Sequence, residues 1–308
     1  MNEPRTLRPI EALAESGTLL NRRIWLVLLP IGLDLLIWLA PRVMLGPELL
    51  PLAEGSPSSL DEGAGSENGT MFSFIRRSNL LSLLLGVWVP SLGISAVEAE
   101  ASATVVLESY PQLLFAFVLL LPISLVLGSI YLALIASEVQ QRTLTWEILV
   151  PRVARLAIRL AGLAGILLVV TVVPFTVATL LLATIPFIGT LLFLLSIAGL
   201  LWIVFYAFFI VDSLALVRQR LPRVIRLTLD LIHSNPWSFI GVFLLYWLIA
   251  FGTSIVWSVI MDLAILNIGI GRIIATVGNA YVGTWVTIAM FMYVWNRLLI
   301  SRGEPTAP

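Results

Sequence analysis

The chain has 308 residues, 59% of them hydrophobic and 12% charged, with a formal net charge of zero. Soluble domains carry about 45–50% apolar and about 25% charged residues, so this is the composition of a polytopic membrane protein. There is no cysteine, His233 is the single histidine, and all 18 basic residues are arginine, which excludes disulfides, thiolate or histidine metal clusters, a Walker A lysine, Schiff-base chemistry and Ser-Lys dyads.

Residues 1–23 are polar and arginine-bearing, with Ile10, Leu13, Gly17 and Leu20 on a narrow stripe. They read as a cytoplasmic interfacial helix leading into an uncleaved first span, Ile24–Ala40. The apolar stretch ends in Ala40-Pro41-Arg42, without a small-residue cleavage pattern. Asp34 lies inside this span, and a carboxylate there is a functional-site candidate by default; a place near the outer end, partly hydrated or paired with an Arg of a neighbouring helix, is the simpler account. Residues 41–111 form an extracytoplasmic loop, flexible over 54–70, where Gly, Ser and acidic residues dominate. The apolar stretch 80–97, broken by Gly86, Pro90 and Gly93, reads as an interfacial or re-entrant hairpin. A crossing there would place the arginine-rich loops outside.

Span two, about Leu113–Ala136, is followed by residues 138–159, which carry Glu138, Arg142, Arg152, Arg155 and Arg159. Trp146, Leu149, Val153, Leu156 and Leu160 keep helical spacing, and the arginines at 152, 155 and 159 share another face. Spans three (about Leu160–Ala183) and four (about Phe187–Val211) form a hairpin through Ile185-Pro186-Phe187. Ala161 and Gly165 in span three make a small-xxx-small pair suited to close packing. Residues 213–236 form another interfacial helix. Val217, Leu221, Val224, Ile225, Leu231 and Ile232 fall on one stripe, while Arg218, Arg223 and Arg226 lie off it, with Asp230 four residues after Arg226. Spans five (about Phe239–Ile260) and six (about Ile274–Val294) complete the chain, and the last contains Asn279 and Tyr281. Fourteen arginines fall on one side of this arrangement and four on the other, which puts both termini in the cytoplasm. The ten tryptophans and six tyrosines read as interface anchors.

One design recurs. Residues 11–30, 146–163 and 225–245 each read as an interfacial helix, a basic or Asn-containing elbow, and a span. Asn21 and Asn235 occupy matching places, followed by Trp25 and Trp237. A threefold repeat of this unit accounts for six spans. Catalytic signatures are missing: there is no GxSxG, HExxH or glycine-rich phosphate loop. His233 reads as a solvated residue at a helix end. Asp34 and Asp262 lie toward one side of the membrane and Asp212 toward the other, so the three cannot share a site. No cofactor or metal is expected, and no basic soluble segment points to nucleic acid.

At VDSLALVRQRLPRVIRLTLDLIHSNPWSFIGVFLLYWLI and GNAYVGTWVTIAMFMYVWNRL the chain resembles six-span bacterial membrane proteins of the glycerophosphodiester phosphodiesterase membrane-domain family. The carriers are Asp212, the arginine-rich helix, Asn235-x-Trp237 and the run Gly278 to Tyr281. The likeness covers most of the spans but not residues 41–110, and it brings no catalytic residue; the phosphodiesterase domain itself is absent. A second segment, Glu138-x4-Thr143-Leu144-x4-Leu149-x-Pro151, is similar to the cytoplasmic coupling segment of ABC-2-type permeases. It departs at Arg142, where that family usually has Gly. This likeness implies a separate ATPase partner. The sequence therefore predicts an all-α polytopic protein of the bacterial inner membrane, a single membrane domain over 1–308. Its arginines face anionic lipid headgroups and its role is a non-catalytic accessory or structural one. The alternative is a permease for a lipid-like or small apolar solute.

Overall fold

Apolar segments that must satisfy every backbone group internally fold as helices in a bilayer, and helices dominate here. A computed structural model describes residues 6–46, 80, 82, 88–90, 104–142, 145–262 and 268–301. Its helices are α1 (Pro9–Arg22), α2 (Leu28–Leu39, after a 3-10 turn Ile24–Val27), α3 (Tyr110–Val139), α4 (Trp146–Thr184), α5 (Pro186–Leu216), α6 (Leu221–Ser234), α7 (Pro236–Asp262) and α8 (Ile268–Ser301). Two short strands, β1 (Arg42–Leu45) and β2 (Thr104–Leu107), pair in parallel with Arg42 opposite Thr104. Five helices, α3, α4, α5, α7 and α8, are long and apolar enough to cross a membrane. The first expected span is shorter. Ile24–Leu39 covers about 24 Å at 1.5 Å per residue, against a hydrocarbon core of about 30 Å.

The backbone groups into two compact units. One comprises residues 1–23, 129–250 and 285–308, the other residues 24–128 and 251–284. In the first unit the most extensive pairing is the hairpin of α4 and α5. Ile185 alone separates them, and its N–H donates to the Leu181 carbonyl. Phe175 and Phe193 meet edge to face across the hairpin, with centroids 5.6 Å apart. The close approach expected at Ala161 and Gly165 is found elsewhere. Nothing lies within 4 Å of a Cβ built on Gly165, whereas one on Gly189 would overlap the Leu182 backbone. The hairpin is tightest where its connection is shortest.

The same unit holds an aromatic core. Phe209 of α5 packs edge to face on Phe239 of α7 at 4.9 Å, and Phe239 packs on Tyr293 of α8 at 5.4 Å. Phe208 and Tyr246 lie 4.6 Å apart. Trp146 and Trp237 are exposed, whereas Tyr131 and Tyr293 are fully buried core residues. Each large ring buries its apolar face while its hydroxyl needs a partner; for Tyr293 that partner is the Ser238 hydroxyl at 2.6 Å.

Helices α1 and α6 are local counterparts. Each spans 14 residues, follows an extended arginine (Arg8, Arg220) and carries proline in its first two positions. They end at elbows of similar backbone geometry, Arg23 at φ −129°, ψ 45° and Asn235 at φ −144°, ψ 57°. The expected boundaries shift. Residues 213–216 belong to α5, and the chain is extended at Val217 before α6 begins at Leu221. Segment 138–159 is not a separate helix. Val139 ends α3, Gln141 takes a positive φ of 52° in a turn, and α4 runs unbroken from Trp146. Its 39 residues span about 58 Å, far beyond the hydrocarbon thickness. On α1 the buried face is Ala12, Ser16 and Leu20, with Ile10 exposed. Beside that face Trp285 lies 3.4 Å from a Cβ on Gly17 and donates its indole N–H to the Leu13 carbonyl at 2.8 Å.

In the second unit a turn at Trp88–Pro90 packs against two glycines. A Cβ on Gly128 of α3 would overlap the Trp88 side chain, and one on Gly283 of α8 would overlap Pro90. Val89 between them is buried. Segment 54–70 and most of 80–97 lie outside the described residues.

Candidate functional site

A helix leaves its last four carbonyls without intrahelical partners, and its C-terminus carries partial negative charge. At the end of α5 these carbonyls are met by side chains from two other elements. Arg152 of α4 donates from Nη2 to the Ala215 carbonyl at 3.1 Å and to Gln140 Oε1 at 3.3 Å. Gln140, just past α3, donates its amide N–H to the Leu216 carbonyl at 2.8 Å. Arg159 of α4 donates from Nη1 to the Val217 carbonyl at 3.0 Å. Three successive carbonyls thus each have a side-chain donor. Such bonds from a charged donor are about twice as strong as neutral ones.

Arginine is in excess here. Arg152 is only 8% exposed, and Arg218, Arg142 and Arg155 stand close enough to act on it as like charges. No described carboxylate forms an ion pair with it. Glu138, an acidic candidate from the sequence, is paired with Arg23 at 3.2 Å, tying the end of α3 to the end of α1. Arg142, Arg155 and Arg218 are exposed. Arg155 uses its Nε on the Pro151 carbonyl of its own helix, 2.9 Å away.

The other sequence candidates are dispersed. Asp34 is buried in α2, in the second unit. Asp212 is buried in α5 within electrostatic reach of Tyr246, and its Oδ2 has no hydrogen-bond partner. Arg223 and Arg226 are on the exposed face of α6, and Arg226 makes no ion pair with Asp230. Asn235 is exposed at the elbow and donates its side-chain N–H to Ser234 Oγ at 3.2 Å; Trp237 is 83% exposed. Asn279 and Tyr281 are half-buried in α8, in the second unit. Thr143 lies outside the described residues. His233 is exposed, as expected, with Nδ1 2.8 Å from the Leu229 carbonyl.

Sequence reasoning missed Gln140, whose role depends on the fold bringing residue 216 to it. It also missed the cluster at the start of α7, where Arg297 reaches Ser238 Oγ at 3.3 Å and lies 5.3 Å from the Tyr293 ring centroid. Among the described residues no group of three His, Asp or Glu side chains could hold a metal ion. A cavity lined by Leu13, Tyr246, Met290 and Tyr293 has a volume of about 10 Å³, room for a single water at most. No family model, curated protein or solved structure matches the chain.

Proposed function

We propose that the chain is a non-catalytic accessory or structural subunit of a membrane assembly, resident in a bacterial inner membrane. In this reading it crosses six times, Ile24–Leu39 being the short first span. Both termini and the arginine face of α1, α4 and α6 lie in the cytoplasm, against anionic lipid. The observation that carries the reading is how the polar groups are used. Arg152, Arg159 and Gln140 hold the end of α5, and Glu138 holds Arg23, so these four polar side chains are engaged in joining helices.

The matched lengths, proline starts and elbows of α1 and α6 support a repeat in which the middle copy has fused its interfacial helix with its span. The permease alternative would need Glu138 free to couple an ATPase, and its ion pair weighs against that. Extraction in mild detergent from native membranes, followed by native mass spectrometry, tests the reading. A larger membrane assembly is expected to co-purify. A stoichiometric ATPase would overturn the accessory role in favour of the permease.

A further inference from the structure

The arginine cluster has more charge than capping α5 requires. Arg152 and Arg159 suffice for Ala215 and Val217, with Gln140 on Leu216. Arg142, Arg155 and Arg218 add three exposed cations around a buried fourth, and no described carboxylate forms an ion pair with any of them. The bonds of Arg152 to the Ala215 carbonyl and of Arg159 to the Val217 carbonyl bring Arg218 to the stretch of α4 that carries Arg155. Arg142, Arg155 and Arg218 all act on Arg152 as like charges, and a bound anion would offset that repulsion.

We propose that Arg142, Arg155 and Arg218, above the buried Arg152, form a binding site for the phosphate of an anionic phospholipid. The site rests on the membrane placement proposed above and adds a ligand to it. Guanidinium groups suit this task, because their planar N–H pairs match phosphate oxygens. A lipid is favoured over a soluble phosphate by what lies beside the arginines. Along the same face of α4, Ile166 and Val173 follow Arg155 by eleven and eighteen residues, about three and five whole turns, and are 45% and 55% exposed. Cations beside an exposed apolar stripe are complementary to a headgroup and the start of its acyl chains. Because Arg152 is fixed by two hydrogen bonds, the site has a rigid floor, unlike the exposed arginines of α6.

The test uses the full chain in detergent, with retention of added lipid read by native mass spectrometry. Phosphatidylglycerol is expected to be held in preference to phosphatidylcholine of the same acyl chains. Replacing Arg155→Gln and Arg218→Gln together should weaken phosphatidylglycerol retention roughly 30-fold, or about 5-fold per arginine. Arg223→Gln with Arg226→Gln removes the same charge from α6 and should leave retention within about 2-fold if the site is local. The pair Arg155→Lys and Arg218→Lys keeps the charge and should stay within a few-fold of the parent, which separates lost binding from lost folding. Equal losses in the two Gln pairs would show diffuse charge attraction only, and no loss at Arg155 and Arg218 would eliminate the site. Displacement of the lipid by millimolar inorganic phosphate would overturn the lipid assignment. A result against the site leaves the topology and the co-purifying partners unaffected, so the two proposals fail separately.

Discussion

Arg152→Met is the sharpest probe of how the first unit is held together. Methionine keeps an unbranched, flexible stem and removes the guanidinium with its donors. The substitution deletes the bonds to Ala215 and Gln140 at 3.1 and 3.3 Å and leaves a carbonyl at the end of α5 without its donor. Hydrogen bonds to a charged group contribute about 1.5–3 kcal/mol, and an unsatisfied buried carbonyl costs about 1–3 kcal/mol. Against this stands relief from burying a charge and from repulsion by Arg218, Arg142 and Arg155. Donor loss should win, with net destabilisation of about 2 kcal/mol. Reversible unfolding in mixed micelles, followed by tryptophan fluorescence, measures it. Arg155→Met is the control: exposed and bonded within its own helix, it should change stability by less than about 0.5 kcal/mol. If Arg152→Met matched or exceeded the parent in stability, the capping argument would be refuted.

Gly189→Val should disrupt the α4–α5 hairpin, because its Cβ would overlap the Leu182 backbone; a loss of about 3 kcal/mol or failure to accumulate in membranes is expected. Gly283→Leu meets Pro90 in the same way and should cost about 1–3 kcal/mol, seen as a lower unfolding midpoint, while Gly199→Ala, with open space around it, should be silent. Glu138→Gln breaks the 3.2 Å pair with the half-exposed Arg23 and should cost less than about 1 kcal/mol. A large loss of solute flux in that variant would instead revive the permease.

The hydrophobic runs and arginine spacing made most of the helices legible, since length and 3.6-residue periodicity are local signals. The α6 stripe is an example: Val224, Leu231 and Ile232 are buried as the pattern requires. The elbow at Asn235 was legible too, because the residue before a proline avoids the helical region. The repeat predicts an elbow within residues 146–163, and α4 runs through it unbroken. Residues 156–163 are mostly good helix formers, so nothing stops the helix where an analogous unit bends. β1 and β2 escaped notice because each has only four residues and their pairing joins positions some sixty apart. The end of α5 is the clearest limit. Arg152 and Arg159 were visible as a basic face, but their targets at 215 and 217 depend on antiparallel packing of α4 against α5, and Gln140 carried no local signal at all.

The absence of cysteine from the sequence makes one measurement unusually direct. Single thiols introduced by Arg218→Cys at the arginine face and Glu108→Cys beyond β2 can be labelled in intact cells and in inverted vesicles with a membrane-impermeant maleimide. The account predicts labelling of residue 218 from the cytoplasmic side only and of residue 108 from the outside only. Labelling of residue 218 from outside would contradict both the placement of the arginine face and the role built on it.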